Sequence, residues 1–250
     1  MKWWFAFLIP LFAFASPQEE VCKLFHIPPQ ATEAEIVAEA QRLWMQQGKE
    51  RWEFTSRYES LRPQLWPLFE EMGMVREVKP TQTHYSTVLL LGALLERVQA
   101  RIDYLAQTEV TYDQIVFLTG QRPLRESEKN QLPLLETEAQ MVRWVYERSA
   151  LPKNVPVLWI DAPMKGTQRP NTADTISAWL KTNPLPESCL AISNQPYVRY
   201  QGAVLQRLVP FPVETVGPSI LGNPSVDLML DTLAREWTYE RIPKIFKLDL

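Results

Sequence analysis

The chain is poor in histidine: His26 and His84 are the only two in 250 residues. One lies in the N-terminal segment and the other just ahead of the first strand-like run, so both read as structural residues rather than bases. No G-x-S-x-G occurs, which removes the nucleophile elbow and leaves a Ser–His–acid hydrolase without support. Neither G-x-G-x-x-G nor a Walker A loop is present, which disfavours ordinary dinucleotide or nucleoside-triphosphate binding. Cysteine stops at Cys22 and Cys189. With no paired-cysteine or His-x-x-x-His spacing, a structural zinc site is not expected. A basic field is missing too: the net charge is -3, and no stretch interleaves basic and aromatic residues. Nucleic acid is therefore not an expected partner. Nor does any apolar run reach the roughly 20 residues of a spanning helix.

What the N-terminus does have is a shorter run. "MKWWFAFLIPLFAFAS" carries Lys2, an apolar stretch from Trp3 to Ala15 interrupted by Pro10, and the small-x-small site Ala13-Phe14-Ala15. This pattern predicts a secretory signal peptide over residues 1–15, cut after Ala15. The mature chain is then exported, periplasmic or secreted, with no stable membrane span; an uncleaved N-terminal anchor is the alternative. Export would permit a Cys22–Cys189 disulfide, and two free thiols fit the sequence equally well.

Residues 16–84 read as a helical cap. Thr32 and Glu35 make a capping box, and Ile36, Ala40, Leu43 and Trp44 recur on one face. Trp52, Phe54, Tyr58, Leu61, Leu65, Trp66 and Phe69 follow without strand alternation, and Pro63 and Pro67 are expected to break this stretch into short helices. The rings either pack the cap onto the main domain or offer a surface to a protein partner.

Residues 85–250 follow another grammar. Short apolar runs at 87–92, 114–120, 155–161, 189–193 and, more weakly, 211–216 alternate with amphipathic segments of helix length. Strands that are apolar throughout are buried on both faces. The expectation is α/β: a Rossmann-like, doubly wound, mainly parallel sheet of about five strands. A C-terminal helix begins after Asn223 or Ser225.

In such sheets ligands sit beyond the carboxyl ends of the strands. There the sequence places Gly92, Thr119-Gly120-Gln121-Arg122, Asp161 and Ser193-Asn194, with Asn171-Thr172 opening a helix. Glycine admits close backbone approach, and Arg122 offers a planar fork for phosphate or carboxylate. A helix N-terminus directs N–H groups at an anion. Gly92, Thr119, Gly120, Arg122, Asn171, Thr172, Ser193 and Asn194 are the candidate ligand-binding residues, and the ligand they suit is a small anion. Glu138, Asp161 and Asp174 are carboxylates expected near Arg122. Such a cluster could hold Mg²⁺ or supply a general base, with Glu138 and Asp161 as catalytic candidates. The competing reading makes Glu138 and Asp174 first-turn acids that favour their helix dipoles.

The order of these pieces resembles the bacterial envelope family typified by the YdcF, SanA and ElyC proteins. The resemblance rests on "LLLGAL" at Gly92, "LTGQRP" at Thr119, Gly120, Arg122 and Pro123, and "TEAQM" at Thr137, Glu138, Ala139 and Met141. It continues through Asp161, "RPNTADT" at Asn171, Thr172 and Asp174, and "AISNQPYVRYQGA" at Ser193. It spans about residues 85–216 and leaves the cap aside. Departures are Gln121 for a second glycine, Asp161 and Asp174 for glutamates, Thr175 for an asparagine and Val198 near the position of a histidine. The resemblance implies a role in envelope maintenance near cell-wall precursors and a nucleotide-like ligand; the anion-suited strand ends add a phosphate-bearing envelope metabolite as the expected ligand class. Two functions follow as expectations: binding, with or without processing, of such a metabolite, or non-catalytic interaction through the aromatic cap.

Overall fold

A computed structural model describes residues 15–182 and 186–241. The N-terminal helices are α1 (Pro17–Leu24), α2 (Glu33–Trp44) and α3 (Arg62–Glu71). Then come β1 (His84–Leu91), α4 (Leu95–Gln107), β2 (Thr111–Gly120), α5 (Glu126–Lys129), α6 (Glu138–Arg148) and β3 (Val157–Ala162). The chain continues through α7 (Thr172–Leu180), β4 (Cys189–Ile192), α8 (Val198–Leu208), β5 (Val213–Val216) and α9 (Val226–Arg241). The expected signal run, with Ala13 and Phe14 of its cleavage site, falls outside the described residues.

The strands form one five-stranded sheet in the order β3-β2-β1-β4-β5, every neighbouring pair parallel. The fold is thus the expected Rossmann-like, doubly wound α/β architecture. Alternate residues of the buried strands serve opposite faces. Val88, Leu90, Ile115 and Phe117 pack with Val98, Ile102, Met141 and Val145 of α4 and α6. Leu89, Leu91, Val116 and Leu118 pack with Ile176, Trp179, Val204 and Leu205 of α7 and α8. Because β2 and β4 lie on either side of β1, the winding direction reverses between β1 and β4, and a crevice opens there at the carboxyl ends.

The cap is a third core. Trp44, Leu65 and Phe69 are fully buried against Met229, Leu230, Leu233 and Trp237, so α9 completes the core of the N-terminal helices. Trp44 lies 5.3 Å from Trp237 and 5.2 Å from Phe25, ring to ring. The packing reading of these aromatics therefore describes Trp44 and Phe69. One expectation is corrected in part: the stretch does break at Pro63, where a short 3-10 helix (Glu59–Leu61) gives way to α3, but α3 runs unbroken through Pro67. Pro63 sits in the first turn, where an N–H has no partner to lose, and Pro67 forfeits one hydrogen bond while buried Leu65 and Phe69 anchor the helix. The Thr32–Glu35 capping box forms, with the Thr32 N–H donating to Glu35 at 2.8 Å. Ser225, rather than Asn223, caps α9, its hydroxyl accepting from Leu228 N at 3.2 Å. Cys22 and Cys189 are free, in different cores, and burial pushes the Cys189 thiol up to about 12.

Candidate functional site

The crevice between β1 and β4 holds a cavity of about 210 Å³. Among the described residues Lys49, Arg51, Arg97, Arg101, Arg169 and Arg235 line it, against Glu50 and Glu138 as acids. The chain is acidic as a whole, so this is a local concentration of positive charge.

Arg101 is the centre of it. It projects from α4, is 2% exposed, and meets no carboxylate in hydrogen bond or ion pair among the described residues. Its Nε donates to Asn194 Oδ1 at 2.9 Å, and its Nη1 donates to the carbonyl oxygens of Leu91 and, at 3.0 Å, Gly92. Its Nη2 reaches Gln201 Oε1 at 3.5 Å. Leu91, Gly92 and Asn194 lie at or just beyond the ends of β1 and β4, and Gln201 belongs to α8, so the guanidinium sits on the switch point. Burial, with Arg97 adding repulsion, pulls its pKa down to about 9. It is still charged at neutral pH.

The walls come from distant segments. Arg51, which opens a short 3-10 helix (Arg51–Glu53) after α2, lies 3.2 Å from Asp231 of α9, which also holds Arg235 through contacts of 2.9 and 3.1 Å. The guanidinium groups of Arg51 and Arg97 each lie 4.7 Å from the ring centre of Tyr197. That tyrosine is 2% exposed, and its hydroxyl has no hydrogen-bond partner among the described residues. Glu50 pairs with Arg169 at 2.7 Å, tying the cap loop to the loop that precedes α7.

Of the residues singled out from sequence, Gly92, Gly120, Glu138, Asn171 and Thr172 line the cavity. Gly92 is required by close approach: a Cβ there would overlap the Glu138 carboxylate and stand 3.0 Å from Leu118 O. Gly120 faces the Pro170 ring in the same way. Asn171 caps α7, accepting from Asp174 N at 3.1 Å, and Thr172 begins the helix. Ser193 and Asn194 stand one layer back, fully buried, supporting Gln201 and Arg101.

Arg122 is elsewhere, and its expected role is corrected. Its Nη1 and Nη2 donate to Glu128 at 2.8 and 2.9 Å, and to the carbonyls of Pro123 and Ala93 at 3.0 and 3.1 Å. Its Nε lies 2.7 Å from Glu138 Oε2. Burial alone would lower the guanidinium pKa, but Glu128 and Glu138 outweigh it and hold it above the ordinary value. Arg122 borders a neighbouring hollow of about 460 Å³, with Nη1 and Nη2 already committed to protein acceptors.

The carboxylates do not converge either. Glu138 stays with Arg122, Asp161 accepts from Thr119 at 2.6 Å and from Arg143 at 2.7 Å, and Asp174 pairs with Lys165. Each acid has its own cation, and no cluster of three acidic, histidine or cysteine side chains that could hold a metal ion occurs among the described residues. Thr119 and Asp161 thus form an edge contact between β2 and β3, away from the cavity. Glu138 alone remains at the site, its carboxyl raised by burial, which Arg122 and Arg169 only partly offset. His84 is exposed at the opposite end of β1, its Nε2 3.5 Å from Asp113.

Sequence reading missed Arg101, Arg97, Arg51, Arg235, Tyr197 and Gln201. A signal existed for Arg101: it follows Leu94 and Val98 and precedes Leu105 at helical spacing, a cation on an apolar stripe. Comparison with protein-family models, curated proteins and solved structures finds no match to this chain.

Proposed function

We propose that this is an exported envelope protein that binds a phosphate-bearing metabolite in the cavity between β1 and β4. The observation that carries the reading is Arg101, a buried guanidinium at the switch point whose acceptors among the described residues are carbonyl and amide oxygens. Burying a cation without a carboxylate is costly, and an arriving anion relieves that cost. Thr172, in the first turn of α7, lines the same cavity, and a helix start is where backbone N–H groups lack intrahelical acceptors. Kinship with the YdcF, SanA and ElyC type of protein belongs to the same proposal, supported by the strand-end residues Gly92, Gly120, Glu138 and Asn171-Thr172. Glu138 is the residue to handle a proton in any chemical step at this site.

The start of α1 is compatible with export. The Ser16 hydroxyl caps the helix and its N–H donates to Glu19 at 2.7 Å. Cleavage after Ala15 would leave that nitrogen as an ammonium facing the same carboxylate, so the cap survives processing. No helix among the described residues is long and apolar enough to cross a membrane.

The test is titration of the chain beginning at Ser16 with inorganic phosphate, followed by calorimetry and thermal melting. At a hundredfold excess over Kd a ligand stabilises by about 2.7 kcal/mol, which raises Tm by about 5–10 °C in a protein of this size. Arg101→Met should abolish the shift while circular dichroism stays native. An unmoved Tm with phosphate at millimolar concentration refutes the proposal.

A further inference from the structure

We propose that the ligand of this cavity carries two linked phosphoryl groups, a diphosphate in preference to a monophosphate or a carboxylate; the inference rests on the anion-binding reading above. It comes from which charges at the cavity are already balanced. Arg51 and Arg235 share the single carboxylate of Asp231, which leaves one positive charge over, and Arg169 pairs with Glu50. Glu138 and Glu128 share Arg122, which leaves one negative charge to offset it. Arg97, Arg101 and Lys49 remain, and none of them has a carboxylate partner among the described residues. Lys49 donates to the Thr55 hydroxyl at 2.9 Å, and Arg97 rests on the Tyr197 ring.

Arg97 and Arg101 are one helical turn apart on α4, the spacing at which side chains are neighbours and like charges repel. A bridging anion turns that repulsion into attraction at both guanidinium groups. A phosphomonoester brings about 1.5–2 negative charges at pH 7, enough for this pair and not for Lys49 as well. A second phosphoryl group supplies the remaining charge, and further acceptors for the unpartnered Tyr197 hydroxyl. The volume of about 210 Å³ fits a compact polyanion. It is below the roughly 300–1,000 Å³ of sites that enclose a drug-sized ligand, so whatever the diphosphate is attached to extends out of the cavity.

The experiment compares inorganic pyrophosphate, inorganic phosphate and citrate by isothermal titration calorimetry on the chain beginning at Ser16. All three are measured at pH 7.5, at matched ionic strength and without divalent cations. Pyrophosphate should bind at least tenfold more tightly than phosphate, citrate no better than phosphate, and Lys49→Met should narrow the pyrophosphate-to-phosphate ratio severalfold. Lys49 is exposed, so this variant keeps the fold. Equal affinity for phosphate and pyrophosphate overturns the diphosphate inference and leaves the anion site standing. Citrate matching pyrophosphate overturns it as well, because the cavity would then read charge and not phosphoryl groups. A ratio unchanged by Lys49→Met removes its charge argument, and no binding of any of the three takes down the anion site with it.

Discussion

Replacing Arg122 by lysine separates the two roles a strand-end arginine can have. In the structure Arg122 is 4% exposed and ties three segments together: the loop after β1 through Ala93, the loop after β2 through Pro123, and α5 through Glu128. Glu128 extends the tie by accepting from Leu95 N at 3.0 Å and Arg125 N at 2.9 Å. A lysine ammonium keeps the charge and reaches one Glu128 oxygen. It cannot span both oxygens and both carbonyls at once. Breaking a buried pair outright costs about 3–5 kcal/mol. A single charge-assisted hydrogen bond contributes about 1.5–3 kcal/mol. Arg122→Lys, which retains part of the pair, should therefore destabilise by about 3 kcal/mol. That corresponds to a Tm lower by about 6–12 °C in a chain of this length. Pyrophosphate affinity, measured by calorimetry well below the new Tm, should change less than twofold. The reasoning is refuted if Tm falls by less than about 2 °C while affinity drops tenfold, for then the guanidinium faces the ligand.

Gly120→Val drives a branched side chain into the Pro170 ring, so it should cost about 1–3 kcal/mol in urea denaturation and weaken pyrophosphate binding by displacing the loop that leads to Asn171. Unchanged binding would detach that loop from the site. Glu236 of α9 is buried, which raises its carboxyl from 4.5 to about 7, with Arg199 at 2.7 Å opposing the rise and Glu240 adding to it. Between those pH values the folded chain holds a proton that the unfolded chain has released. Stability should thus fall by about 3 kcal/mol as pH climbs through the window, and Glu236→Gln should flatten that slope in denaturation series. Edman sequencing of exported protein should begin at Ser16, and full-length chain retained in the cytosol would overturn both the signal peptide and the compartment.

The sheet was legible because its strands are continuous apolar runs, a pattern that only burial on both faces explains. Helix starts were legible wherever a side chain satisfies the first turn, as at Thr32 and Asn171. The unbroken α3 was not, since the anchoring of Leu65 and Phe69 against α9 is a tertiary effect that overrides Pro67. At the site, the strand-end rule led to Gly92, Gly120 and Thr172, because backbone geometry there follows from topology. Arg122 misled for a physical reason: an arginine after a buried strand reads the same whether its fork meets a ligand or a carboxylate. Here the carboxylate belongs to Glu128 on α5, a four-residue helix that has no apolar periodicity to announce it. Arg51, Lys49 and Arg235 reach the cavity only through the docking of the cap and α9, so nothing local to their sequence marks them.

That docking explains why cap and cavity belong together. Asp227, Asp231 and Glu236 are all fully buried on α9, and each faces an arginine from another part of the chain: Arg57, Arg51 and Arg199. Buried ion pairs of this kind are seldom more stabilising than well-packed apolar residues of equal volume. What they provide is position. Asp227 accepts from the backbone N–H groups of Arg57 and Tyr58 at 2.9 and 3.1 Å, fixing the chain that follows Arg51. Asp231 then holds Arg51 at the cavity wall over Tyr197. The acids of α9 thus aim the cap's cations at the strand ends, while Arg101 pairs with no acid among the described residues and is the group to which the proposed function assigns the anion. A fold that only needed a packed α4 would place a leucine at that position, between Val98 and Leu105.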